Sequence, residues 1–188
     1  AGTTQQTAVS SGWCLVGVGS CGAPPPPPPP PSGGAIVVNG GFEGSESPWV
    51  RSGTGAFYTA NGSTPHGGTG YTYFGTANSR TGQSYQQVTI PSGASTAQLT
   101  FWLSVTSSET RTTVQYDRLF VEVRNTSGTL LQTLATFSNL NRSTSGVYVQ
   151  RGAYNLLAFR GQTIRLQFRG TTDSILPTTF RVDDVAVQ

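Results

Sequence analysis

Pro24 to Pro31 are eight consecutive prolines, and no other run limits so strictly what this chain can build. Proline has no amide hydrogen and a fixed φ, so the run can neither join a sheet ladder nor start a helix, and extended polyproline II is what remains. At about 3.1 Å per residue it holds its ends roughly 25 Å apart. The chain is expected to divide at this rod. Residues 1–23 form an arm, residues 24–34 a spacer ending in the joint Ser32-Gly33-Gly34, and residues 35–188 a body. The stretch GVGSCG (Gly17 to Gly22) fits the dinucleotide pattern G-x-G-x-x-G, but polyproline follows where that pattern needs a helix, so the match is discarded.

The body reads as half-buried strands. Leu99, Phe101, Leu103 and Val105 alternate with other residues, as do Leu119, Val121 and Val123, and again Ile164, Leu166 and Phe168 with Arg165 and Arg169 opposite. Turn residues separate these runs at Pro91-Ser92-Gly93, Asn125 to Gly128, Arg160-Gly161-Gln162 and Gly170 to Ser174. Ser and Thr make up a quarter of the chain and charged residues only 10%, a composition suited to short strands and many turns. The expectation is an all-β, antiparallel β-sandwich of about nine strands, with one short helical turn within AYNLLAFRGQ (Ala153 to Gln162). Trp102 and Phe120 break the pattern, because each faces away from the core residues of its own strand. Large apolar groups there mean either a covering loop or a docking surface.

The net charge of +3 comes from eleven arginines and no lysine. They are scattered along the sequence, which gives no footprint for nucleic acid. No apolar run approaches the length of a membrane span. Cys14 and Cys21 are the two cysteines of the chain. A local disulfide between them, together with the absence of methionine, fits a secreted, extracellular protein. No catalytic residues are assigned. His66 is the single histidine, in a glycine-rich loop, and no serine or cysteine has a nucleophile's setting around it. Glu109, Asp117 and Asp173 are a second acidic group, of the kind that holds calcium or an arginine more often than it hydrolyses glycosides. Asn61, Asn125 and Asn141 begin N-x-S sequons in turn-like segments and are candidate glycosylation sites.

The segments VVNGGFEGSESPW (Val37 to Trp49), VTIPSGASTAQLTFWL, SSETRTTVQYDRLFVEV and GQTIRLQFRGTTDSILPTTFRVDDV closely resemble the jelly-roll accessory domain of secreted bacterial peptidases of the sedolisin and metallopeptidase types. More distantly, the opening N-G-G-F-E…W and the closing V-D-D-V resemble carbohydrate-binding jelly rolls. The resemblance spans nearly all of the body and none of the arm or rod. It implies a jelly roll used for adhesion, sugar contact or stability. It also implies a structural Ca²⁺ held by the acid of the first motif and an Asp of the last strand, which here are Glu43 and Asp183, with Asp184 beside them. Backbone amides or an arginine satisfying these acids is the other reading. Sugar contact would need exposed aromatics, and Trp49, Tyr71, Tyr73, Tyr85 and Tyr116 are available by type.

The arm holds one apolar burst, Trp13 to Val18, too small to repay its own ordering. A stiff rod suits an arm that reaches another molecule. The leading expectation is therefore a non-catalytic subunit that assembles head-to-tail with copies of itself into an extracellular filament, Trp13, Leu15 and Val16 docking on a neighbour's Trp102 and Phe120. The alternative is a carbohydrate-binding or adhesion module of a secreted bacterial protein, with glycans as partners.

Overall fold

A computed structural model describes residues 7–9, 12–14 and 35–188. The chain divides into two units, Ala1–Ser32 and Gly33–Gln188. In the first, β1 (Thr7–Val9) and β2 (Gly12–Cys14) pair antiparallel, with Thr7 opposite Cys14. The arm was not expected to contain strands. Cys21, Leu15, Val16 and the proline rod lie outside the described residues, as do the side chains of Trp13 and Cys14, and with them the expected disulfide.

The second unit is all-β. Its strands are β3 (Val50–Gly53), β4 (Ala56–Thr59), β5 (Tyr71–Gly75), β6 (Thr81–Thr89), β7 (Gln98–Ser107), β8 (Arg118–Arg124), β9 (Leu130–Ser138), β10 (Val149–Asn155), β11 (Thr163–Thr171) and β12 (Thr178–Val187). They form two antiparallel sheets, ordered β10-β7-β12-β5-β4 (sheet I) and β3-β6-β11-β8-β9 (sheet II). Ile36 lies in a bend, and the expected helical turn is a 3₁₀ turn at Leu157–Phe159. Among the described residues no helix is long and apolar enough to cross a membrane.

Alternation decides what lies between the sheets. Leu99, Phe101, Leu103 and Val105 of β7, with Phe180 and Val182 of β12, meet Leu119, Val121 and Val123 of β8 and Ile164, Leu166 and Phe168 of β11, all buried. Phe101 meets Phe168 edge-on with ring centres 5.1 Å apart, an orientation aromatic pairs favour. Gln86 of β6 also points inward and is 3% exposed. Its amide is spent on Val38, accepting from the backbone N–H at 2.8 Å and donating to the carbonyl at 2.7 Å. One side chain thus does for Val38 what a neighbouring strand would do.

The N-G-G-F-E…W motif folds as a loop around Asn39. Its Nδ2 donates to the carbonyls of Ser45 and Ser47 at 2.8 and 3.0 Å, its Oδ1 accepts from the Glu43 N–H at 2.8 Å, and its carbonyl accepts from Trp49 Nε1 at 3.0 Å. Gly40 then runs so close to β12 that a Cβ there would overlap the Val185 carbonyl, and its own carbonyl accepts from the Val185 N–H at 2.9 Å. Glycine is required for that approach, which joins the first motif to the last strand.

Candidate functional site

The outer face of sheet II is where polar and aromatic groups of several strands meet. Because β6, β11 and β8 are in regular register, Tyr85 stands opposite Gln167 and Gln167 opposite Glu122. In the next row Gln83 stands opposite Arg169 and Arg169 opposite Phe120. These are the residues left facing outward once the alternate positions have been buried. Gln167 Nε2 donates to Gln83 Oε1 at 3.2 Å and to Glu122 Oε2 at 3.1 Å. Arg169 donates to Glu122 Oε1 at 2.8 Å through its NH2 and at 3.2 Å through its Nε. Arg124 donates from Nε to Glu122 Oε2 at 2.8 Å.

Glu122 is the hub of this network. Its side chain is only 1% exposed although it lies on an outward position, because the two arginines and Gln167 close over it. Burial alone would raise its carboxyl, but the bonds from Arg169 and Arg124 overcome that and hold it below the usual glutamate range. Aromatic rings flank the network. The Arg165 guanidinium sits over the Tyr85 ring at 4.4 Å and that of Arg169 over Phe120 at 4.1 Å. Phe120 is therefore half-buried under its own chain's arginine, not an open landing surface.

Trp102, the other expected landing surface, is also already occupied. On the outer face of sheet I the loop between β4 and β5 folds back, and the His66 ring stacks on Trp102 with centres 3.8 Å apart. Tyr148 meets His66 edge-on at 5.6 Å and donates to the Thr64 carbonyl at 3.0 Å. The backbone and ring of His66 tie this loop to β12. Its N–H donates to Asp183 Oδ2 at 2.8 Å, and its Nδ1 lies 2.6 Å from Asp184 Oδ2.

Glu43, Asp183 and Asp184 are thus brought to one loop, as the resemblance implied, but the donors around them do not fit a calcium ion. Glu43 accepts from the N–H groups of Thr69 and Gly70 at 2.9 and 3.0 Å and from the Thr69 hydroxyl at 3.0 Å. The Gly70 and Thr69 amides hold its carboxyl below the usual range. Asp183, fully buried, accepts from the N–H groups of His66, Gly67 and Asp184. Burial pushes its carboxyl up to about 6 against the pull of those amides. Calcium needs convergent oxygens, whereas here the lone pairs meet hydrogen-bond donors. Among the described residues no three acidic, histidine or cysteine side chains are gathered to hold a metal.

The second acidic group does come together. Asp117 Oδ1 accepts from the Asp173 N–H at 2.9 Å; burial, then Asp173 and Asp117, push the Glu109 carboxyl up. Of the candidate sugar platforms, Trp49 is core at 4% exposure and Tyr71 lies under the loop at 8%. Tyr73 is half-buried against Phe57, stacked at 5.1 Å, Tyr116 is exposed, and Tyr85 alone belongs to the sheet II network. Asn61 and Asn141 are exposed and Asn125 partly so. The side-chain Oδ1 of Asn125 accepts from the Thr129 N–H, and that of Asn141 from the Ser138 N–H. Sequence reasoning missed Glu122, Gln83 and Gln167. The available signal was a glutamate at an outward position between two core valines, in LFVEV.

No protein-family pattern matches the chain, and no curated protein matches it either. Solved structures do. TmCBM61, solved in complex with β-1,4-galactotriose, superposes with a TM-score of 0.60 at 17% identity, over 82% of this chain and 97% of that one. The fold is that of carbohydrate-binding and adhesin jelly rolls. The K1 cleaved adhesin domain of Lys-gingipain from Porphyromonas gingivalis W83 gives 0.54 at 13% identity, over 74% and 89% of the two chains. A structure of carbohydrate-binding modules of the β-sandwich superfamily gives 0.53 at 11% identity, over 80% of this chain and 62% of the other. The jelly-roll architecture expected from the sequence is therefore present. Gingipain adhesin domains are the part of this set that bears on the expected likeness to peptidase accessory domains.

Proposed function

We propose that residues 35–188 are a non-catalytic carbohydrate-binding module of an extracellular protein, taking glycan on the outer face of sheet II. The observation that carries this reading is the network Gln83–Gln167–Glu122–Arg169 flanked by Tyr85. Strands fix its amide, carboxylate and guanidinium groups in place; Glu122 and Gln167 are buried at its centre, and the half-buried Gln83, Tyr85, Arg165 and Arg169 are what it presents outward. Such a surface offers what sugar hydroxyls need: donors and acceptors fixed in place beside planar groups on which a ring can lie. The neighbours' folds support the same reading at the level of architecture. Head-to-tail assembly draws no such support, since Trp102 and Phe120 already carry partners from their own chain.

The test is affinity electrophoresis of the full chain through gels containing soluble plant and bacterial polysaccharides. Retardation by at least one polysaccharide is expected, reduced in Tyr85→Ala and Gln83→Ala and unchanged in Tyr116→Ala, an exposed aromatic outside the network. Free migration in every gel, or equal retardation of Tyr85→Ala and the unaltered chain, would overturn the reading.

A further inference from the structure

Arginines that are scattered in the sequence are gathered in space. Arg118 and Arg124 of β8 and Arg165 and Arg169 of β11 all occupy outward positions of sheet II, on alternate residues to the buried Leu119, Val121, Val123, Leu166 and Phe168. The acid among them on those two strands is Glu122. Four positive charges against one negative leave this face an excess equal to the +3 of the whole chain. The remaining seven arginines are matched by seven acids.

The arrangement runs against the ordinary economy of a sheet. Arg165 stands directly opposite Arg124 across β11 and β8, and like charges at such a pair, about 5 Å apart at Cβ, destabilise the sheet. Glu122 offsets part of this, but both its oxygens are already taken by Arg169, Arg124 and Gln167. Among the described residues Arg165 has no acid partner: its NH2 donates to the Thr126 carbonyl and its guanidinium rests on Tyr85. Arg118 is exposed at the other end of β8, opposite Thr171.

We infer that the ligand of this face is an acidic polysaccharide bearing uronate carboxylates. The inference rests on the proposed glycan-binding face and names the class of glycan it takes. Planar guanidinium forks match planar carboxylates two bonds at a time. The half-buried Gln83 amide and Tyr85 ring suit the neutral parts of the same sugars. A nucleic acid is the less favoured polyanion, because tight phosphate binding commonly draws on about six to ten cationic contacts and this face offers four.

The experiment is titration calorimetry of the full chain with polygalacturonate, neutral β-1,4-galactan and single-stranded DNA, at low and at high NaCl. Polygalacturonate is expected to bind most tightly, and to weaken as salt rises. Arg165→Gln and Arg118→Gln, which leave the Glu122 network intact, should each weaken it by about tenfold while far-ultraviolet circular dichroism stays unchanged. Galactan bound as tightly as polygalacturonate, with no salt dependence, would overturn the acidic class while leaving the module reading in place. DNA bound as tightly as polygalacturonate would overturn it as well. Failure of every glycan to bind would remove both readings together.

Discussion

The imidazole of His66 lies almost parallel to the indole of Trp102, with planes 16° apart and centres 3.8 Å apart, and the same ring contacts Asp184 at 2.6 Å. A loop residue therefore shields an outward tryptophan that would otherwise face water. His66→Ala should move the Trp102 emission to longer wavelength and cost about 1 kcal/mol of stability. Spectra taken with and without Trp102→Phe assign the change. An unmoved emission maximum would mean that the loop does not cover this ring in solution.

Arg169 and Arg165 carry the same charge on the same strand and should not be equally important to folding. Removing Arg169 leaves Glu122, 1% exposed at its side chain, with one guanidinium instead of two. Arg169→Ala should therefore cost about 2–3 kcal/mol, whereas Arg165→Ala gives up a surface cation–π contact of about 0.5–1 kcal/mol. Urea titrations of the two variants side by side decide this, and the reverse order would rule out the hub role of Glu122.

Two carboxyls should give stability opposite slopes with pH. Glu122 is held below its ordinary value of 4.5, so its contribution is present above that pH and is lost as pH falls through its native value. Asp183 is pushed up from 3.8 to about 6, so the native state holds a proton there that the unfolded chain has released. Its contribution is complete below 3.8 and disappears as pH rises through about 6. Melting curves of Asp183→Asn should be flatter than those of the unaltered chain across that interval. Those of Glu122→Gln should lose their fall at acid pH.

Chelation is expected to leave the melting temperature where it is, because amides and a hydroxyl already satisfy Glu43. Gly68→Ala should lower it. Gly68 has φ +54°, and a Cβ there would overlap the Glu43 carboxylate. Calorimetric scans with and without EDTA are sufficient, and a melting point that drops with EDTA would bring calcium back to this loop.

Much of the fold was legible because strand burial has a period of two. The alternations in β7, β8 and β11 named the ten core residues that those strands supply, and the outward placing of Trp102 and Phe120 followed from the same count. What covers those two residues was not legible, since His66 lies far from Trp102 in sequence and Arg169 far from Phe120. The gathering of arginines was hidden for the same reason: it depends on β11 pairing with β8 and on their register, neither of which one sequence states. The acids of the first and last motifs could be named from the sequence, but whether amides or an ion would meet them turned on how the 62–70 loop folds.

Val38 is fastened to β6 by a single amide, Gln86, through both its N–H and its carbonyl. Seen as a mechanical joint, this is a clamp. A pull arriving from the N-terminal side is shared by two bonds in parallel at Val38 before it reaches the Gly40–Val185 bond. Changing Gln86 to a residue with no amide would release both bonds at once and pass the load straight to the Gly40–Val185 bond.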